Sequence, residues 1–173
     1  MSRKIIIQFL LLLLVSSTFA APNGNFKATV LIDAESGEIL DSYNEHKALP
    51  PASMVKMMTE LIVLELIKSG ELSNDDIVKV SAKASKMGGS QVYLAHNEEF
   101  PVVELLKALS IQSANDAAVA LAEYTSGSTI AFVELMNQRA RELGMNDTEF
   151  HSVHGLPPGY GQKSDLSSPY DMA

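Results

Sequence analysis

A chain of 173 residues is about one domain long, and its 46% apolar content is that of a globular protein. It carries 21 acidic side chains against 13 basic ones, a net charge of −8, which argues against a nucleic-acid partner. It has no cysteine, which excludes disulfides, thiolate metal sites and a cysteine nucleophile together.

Arg3 and Lys4 precede an apolar run from Ile5 to Val15, and small residues follow through Ala20 and Ala21. That order reads as a secretory signal cleaved after Ala20, so 1–20 is set apart as an export address and 21–173 as the folded part. The alternative is an uncleaved anchor, although the run is short of the roughly 20 residues a membrane-spanning helix needs. Losing Arg3 and Lys4 deepens the net charge from −8 to −10. An anionic substrate must then be held by local cations rather than by the overall field.

The first folded element is a β-hairpin: Phe26 to Asp33 and Glu38 to Tyr43, rich in β-formers, flank a turn at Glu35-Ser36-Gly37. Pro50-Pro51 interrupts regular structure. From Ser53 to Ser69 the chain is dense in Met, Leu, Ile and Val, with Gly70 as a stop, which predicts the most buried helix. Ile77 to Val80 reads as a short strand. Helices are predicted from Pro101 to Ser110, from Asn115 to Tyr124, and from Thr129 to Leu143 with Gly144 closing it. In the last of these, Ile130, Phe132, Val133, Leu135 and Met136 supply the apolar stripe. No internal repeat, low-complexity tract or linker divides the chain, and the pattern is that of one α+β unit. Ser168, Pro169 and Asp171 are an N-cap, a first-turn proline and an acid at the third position, a helix start two residues before the chain stops. So short a helix does not persist alone, so the natural chain is expected to continue.

The chemistry centres on Ser53-Met54-Val55-Lys56 at the head of the long apolar helix. Residues three apart share a helix face, so hydroxyl and amine can meet. A serine hydroxyl needs a base, and a lysine serves only when partly neutral, which requires its amine to fall from about 10.4. Burial and a neighbouring cation both push it down. Free backbone N–H groups at the helix start suit a developing oxyanion. The spacing alone is weak: 19 serines and 10 lysines produce roughly one such pair by chance. Its position after Ala52 and two prolines is the stronger signal. Ser113-Ala114-Asn115, between two predicted helices, is the second element: the serine can relay a proton and the asparagine can hold a substrate amide. Ser42-Tyr43-Asn44 has the same pattern but lies in the hairpin ahead of Ser53, and is set aside as a decoy.

Pro51 to Thr59 resembles the active-site helix of the D-alanyl-D-alanine carboxypeptidases, the low-molecular-weight penicillin-binding proteins of serine peptidase family S11. Gln112 to Ala118 resembles the second motif of that family, and Val153-His154-Gly155-Leu156 and Asp171-Met172-Ala173 resemble later stretches in the same order. The resemblance runs from about Phe26 to the end, and two motifs in order with matching flanks outweigh either one alone. It implies an α+β penicillin-binding, β-lactamase-like fold, an antiparallel sheet flanked by helices. It implies Ser53 as the acylated nucleophile, Lys56 as its base, Ser113 in proton transfer and Asn115 in substrate positioning. The substrate implied is a peptidoglycan stem peptide losing its terminal D-alanine. β-Lactams would act as covalent inhibitors, no metal or organic cofactor is implied, and the setting would be the periplasm or the outer face of the inner membrane. A D,D-endopeptidase of the same family and a non-catalytic penicilloyl- or wall-binding protein are the alternatives. A class A β-lactamase would need a glutamate-bearing deacylation loop, and none stands out after Ser113.

Gly88-Gly89-Ser90 is either a plain turn or, through Ser90, a contributor at the cleft border. His151 and His154, three apart, would face opposite sides of an extended segment and share no metal ion. The eight methionines, Met54, Met57 and Met58 among them, read as core filler. Arg139, Arg141 and Glu142 read as a solvated helix face. The third motif of the family, Lys-Thr-Gly, does not occur in these 173 residues. Followed by an amphipathic tail beyond residue 173, it would mark an enzyme held peripherally at a membrane. Without its cation, one force lowering the Lys56 amine is missing. Purified residues 21–173 are therefore expected to release no D-alanine from a pentapeptide; robust turnover in that assay would overturn the expectation.

Overall fold

The computed structural model describes residues 25–173, so the export address at 1–20 lies outside the described residues. β1 (Thr29–Ile32) pairs antiparallel with β2 (Ile39–Tyr43), with an irregularity in the register between Leu31 and Ile32. Asp33 shapes the turn between them. Its Oδ1 accepts from the amides of Glu35 and Ser36 and from Ser36 Oγ, and these bonds hold its carboxyl below the usual range. A three-residue 3-10 turn, Ala52–Met54, then leads into α1 (Val55–Ser69), which Gly70 ends in a left-handed conformation.

β3 (Ile77–Lys79) pairs antiparallel with β4 (Glu99–Pro101). β4 is missed by sequence patterning because three residues carry no readable alternation. The helical hairpin that follows is α2 (Val102–Gln112) and α3 (Asn115–Ser126), joined by Ser113 and Ala114 alone. α4 (Thr129–Glu142) begins at Ser128, whose side chain accepts from the Ala131 amide, an N-cap the sequence analysis did not single out. Pro101 precedes α2 as an extended residue rather than opening it. The described residues thus form two separate two-stranded antiparallel sheets with helices, an α+β arrangement. No helix among them is long and apolar enough to cross a membrane.

The most buried helix is α3 rather than α1. Every residue from Asn115 to Ala122 is buried, whereas α1 exposes Met57 and Leu64. α3 packs against α1, α2, α4, β3 and the turn at Ala84–Lys86. Alanines at 117, 118, 120 and 122 let several elements approach at once, which bulkier side chains would prevent. Phe132, Met136, Leu105 and Phe150 fill the space around it. Two expectations fail on exposure. Ile130 is 74% exposed and outside the α4 stripe, and Met54 and Met57 face outward while Met58 is buried. A helix as apolar as α1 has no single face that composition can assign. Arg139 is not simply solvated: it forks onto Glu65 of α1 and reaches Glu142.

The expected helix start near the end of the chain is present as α5 (Pro169–Met172), with Ser168 accepting from the Asp171 amide. One turn persists here because tertiary bonds hold it. The Tyr170 amide donates to Glu45 O, and Asp171 Oδ2 accepts from the Asp147 amide and Thr148 Oγ1. Ahead of it, Leu166 pairs with Glu149 and Ser167 with Leu49, which ties this return segment to the chain just before the two prolines.

Asp116 anchors the segment before β4. Fully buried in the first turn of α3, it accepts from the amides of Val92, Leu94 and Ala117. Asp116→Ala orphans buried N–H groups and is expected to cost about 3 kcal/mol. Glu104→Ala, which breaks only the exposed pair with Lys107, should cost about 0.5 kcal/mol or less. Urea denaturation of both variants measures the contrast.

Candidate active site

Ser53 is exposed within the 3-10 turn, and Lys56 is 4% exposed in the first turn of α1. Side chains three apart eclipse in a 3-10 turn, which brings this pair together. Lys56 Nζ lies 3.2 Å from Ser53 Oγ and donates to the His154 carbonyl at 2.8 Å. Burial pushes the Lys56 amine down to about 8.

The residue before the nucleophile candidate is conformationally unusual. Ala52 has φ of +50°, a left-handed conformation that costs a non-glycine residue about 1 kcal/mol or more. Its carbonyl is pressed against Gly155, which has φ of +77°. A Cβ at 155 would overlap Ala52 O far inside van der Waals contact and lie 2.5 Å from Ala52 C, so only glycine allows this approach. Thr59, buried one turn along α1 from Lys56, donates its hydroxyl to the Val153 carbonyl at 2.9 Å. The segment 153–155 is thereby fastened to the start of α1 at three places.

The second motif packs against the 88–90 turn. Ser113 is half-buried, ends α2 in a left-handed conformation and makes no hydrogen bond to Ser53 or Lys56 among the described residues. Asn115 is 2% exposed as the first residue of α3; its Nδ2 donates to Gly88 O at 2.7 Å, while its buried Oδ1 has no partner among the described residues. The Gly88-Gly89-Ser90 turn wraps this motif. The Asn115 amide donates to Ser90 O, and Ser90 Oγ donates to Gln112 O. Ser90 therefore serves the motif as a clamp on its backbone. A Cβ on Gly89 would meet Asn115 Nδ2 at 2.8 Å and Leu156 at 3.1 Å, so the 88–90 turn, the second motif and the 154–156 segment converge.

His154 and His151 do not lie on opposite faces of an extended strand. The chain bends at 153–154, and both border one cavity of about 600 Å³. His154 Nδ1 accepts from the Leu156 amide, which leaves the ring proton on Nε2. Burial first, then Lys56 and Lys83, push the His154 ring below its ordinary value, against Asp165. His151 Nε2 lies 3.2 Å from Glu149. No group of three His, Asp or Glu among the described residues is placed to hold a metal ion.

An exposed serine thus lies 3.2 Å from a buried lysine amine, and the serine-x-asparagine turn is linked to the 154–156 segment through Gly89. The family model for D-alanyl-D-alanine carboxypeptidase, peptidase S11, matches residues 16–173. The chain belongs to this family. It is 40% identical over 177 residues to the D-alanyl-D-alanine carboxypeptidase DacF of Bacillus subtilis, covering 98% of this chain and 44% of that relative. The crystal structure of the D-alanyl-D-alanine carboxypeptidase DacD from Francisella tularensis superposes with a TM-score of 0.82 at 39% identity, over 87% of this chain and 35% of that one. Penicillin-binding protein D2 from Listeria monocytogenes, in its ampicillin-bound form, gives a TM-score of 0.73 at 33% identity, over 84% and 57%. The chain thus spans about half, or less, of the length of these S11 relatives.

Thr59, Gly89, Gly155 and the His154 carbonyl escaped the functional reading of the sequence. Val153-His154-Gly155-Leu156 was visible only as a stretch resembling the S11 family, and a backbone acceptor leaves no mark in residue type. Gly155 and Gly37 share a positive φ, and only Gly155 has a close neighbour. Gly155→Ala is therefore expected to cost about 2 kcal/mol more than Gly37→Ala in urea denaturation.

Proposed function

We propose that this S11 chain carries the acylating half of a serine-type D-Ala-D-Ala carboxypeptidase of the bacterial cell envelope, exported to the periplasm or the outer face of the inner membrane. Ser53 is the nucleophile, Lys56 its base, Ser113 a proton-transfer group and Asn115 a substrate-positioning group. Support for the reading comes chiefly from Lys56 Nζ, a buried amine 3.2 Å from the exposed Ser53 hydroxyl.

The chemistry follows from that pair. Neutral Lys56 takes the proton of Ser53 as Oγ attacks the carbonyl of the penultimate D-alanine of a peptidoglycan stem peptide. The C–N bond breaks, the terminal D-alanine leaves with a proton on its amine, and water then hydrolyses the ester on Ser53. Backbone N–H groups at the start of the uncapped turn are suited to the oxyanion. With its amine at about 8, about one Lys56 in ten is neutral at pH 7, against about one in 2,500 at the ordinary 10.4. A β-lactam acylates the same hydroxyl, and the ampicillin-bound relative supports that partner. Asn115 Oδ1, buried and unpartnered among the described residues, supports a role toward a donor brought to the site.

On the full-length gene product, fluorescent penicillin is expected to label wild type and not Ser53→Ala; equal labelling of both overturns the assignment. The acylation rate constant should rise with pH through about 8, as Lys56 loses its proton. D-alanine release from a pentapeptide, set against cleavage of a cross-linked dimer, separates carboxypeptidase from endopeptidase, and label without either product marks a non-catalytic binder.

A further inference from the structure

The carbonyl that receives Lys56 belongs to a loop, and the chemistry above does not account for what keeps that loop in place. Asp165 does not touch Lys56 or Ser53 in any hydrogen bond, yet it is only 5% exposed. Its Oδ1 accepts from the amides of His151 at 2.6 Å and Ser152 at 2.8 Å, and its Oδ2 accepts from Ser152 Oγ at 2.6 Å. Ser152 Oγ in turn accepts from the Gly155 amide at 2.8 Å. The carboxylate therefore grips the 151–152 end of the loop directly and reaches the 155 end through the Ser152 hydroxyl. Between those ends lie the Val153 carbonyl, held by Thr59, and the His154 carbonyl, held by Lys56.

Asp165 is itself fixed from outside the loop. Leu166 and Ser167, directly after it, pair with Glu149 and with Leu49, one residue ahead of Pro50-Pro51. The hydrogen-bond path thus runs from the chain before the nucleophile, through Asp165 and Ser152, to Gly155. There it closes on Ala52, beside Ser53.

We propose that Asp165 is a positioning residue for the acylation reaction, holding the His154 carbonyl on Lys56 Nζ through Ser152 and Gly155. The proposal rests on the reading of Ser53 and Lys56 as nucleophile and base. When the carboxylate is removed, the amides of 151 and 152 lose their acceptor and the loop loosens. Water then reaches the buried amine, and the burial that lowers it is relieved.

Charged and titratable groups stand around the loop and α1 on several elements. His154 and His151 lie on the loop, the latter beside Glu149. Lys83 precedes the 84–86 turn and acts on His154 together with Asp165. On α3, Asp116 is taken by the amides of Val92 and Leu94. Further along α1, Glu60 is bonded by Ser110 of α2 and Glu65 by Arg139 of α4. Of these, Asp165 alone holds the backbone amides of the loop that carries the Lys56 acceptor, and Glu149 meets only the His151 ring.

The test is the pH profile of the acylation rate constant with fluorescent penicillin, measured on the full-length gene product for wild type, Asp165→Ala, Ser152→Ala and Ser53→Ala. The midpoint of the alkaline rise is expected to move up by about one pH unit in Asp165→Ala, a tenfold loss of rate near neutrality, with the plateau above it retained. Ser152→Ala should move it the same way by less. Should Asp165→Ala fail to fold, Ser152→Ala, which removes a single hydroxyl, decides the question. An unmoved midpoint in the folded variants, whether the rate is unchanged or lowered equally at every pH, overturns the proposal while leaving the acylation reading intact. Label on Ser53→Ala equal to wild type overturns that reading itself.

Discussion

A lysine amine removed from water must have acceptors for its N–H groups, or lose its charge, or both. At Lys56 the acceptors are Ser53 Oγ, three residues back, and the His154 carbonyl, 98 residues on. The first follows from helical spacing and the second only from the way the chain returns. That single amine therefore joins the start of α1 to the 153–156 segment, and burial at the junction lowers its affinity for a proton. Support and the lowered proton affinity come from the same contact.

Two kinds of small residue make the junction achievable. α3 runs through the middle with alanines at 117, 118, 120 and 122, so α1, α2, α4 and β3 all reach it. At the surface of that core, Gly89 and Gly155 allow backbone to approach Asn115 and Ala52 closer than any side chain would permit. The strain of Ala52 is held where Gly155 and the Val153 and His154 carbonyls all meet the start of α1. Asn115 is placed by comparable means, its amide and its side chain both bonded to the 88–90 turn. The two halves of the site are thus set by backbone packing first and by side-chain chemistry second.

The hairpin, the four long helices, the strand at 77 and the short helix at 169 were legible, because each carries its own local signal: β-formers around a turn, an apolar run with a glycine stop, or a serine-proline start. Their burial ranking was not. α1 looks the most apolar, yet α3 holds the centre, because alanine contributes little to apolarity and much to close approach. Likewise Ile130 and Met57 face outward although their type suggests core. β4 was invisible because its three residues make sense only beside β3.

By itself the sequence determined the composition limits, the element types, and the pairing of Ser53 with Lys56, all of which depend on residues no more than a few positions apart. Tertiary structure alone decided that Lys56 is buried, that its second acceptor is a backbone carbonyl, and that Asp165 and Gly155 stand behind it. Side-chain spacing is written in the order of residues. A backbone acceptor, an absent Cβ and a desolvated amine acquire their meaning only from whatever distant segment folds against them.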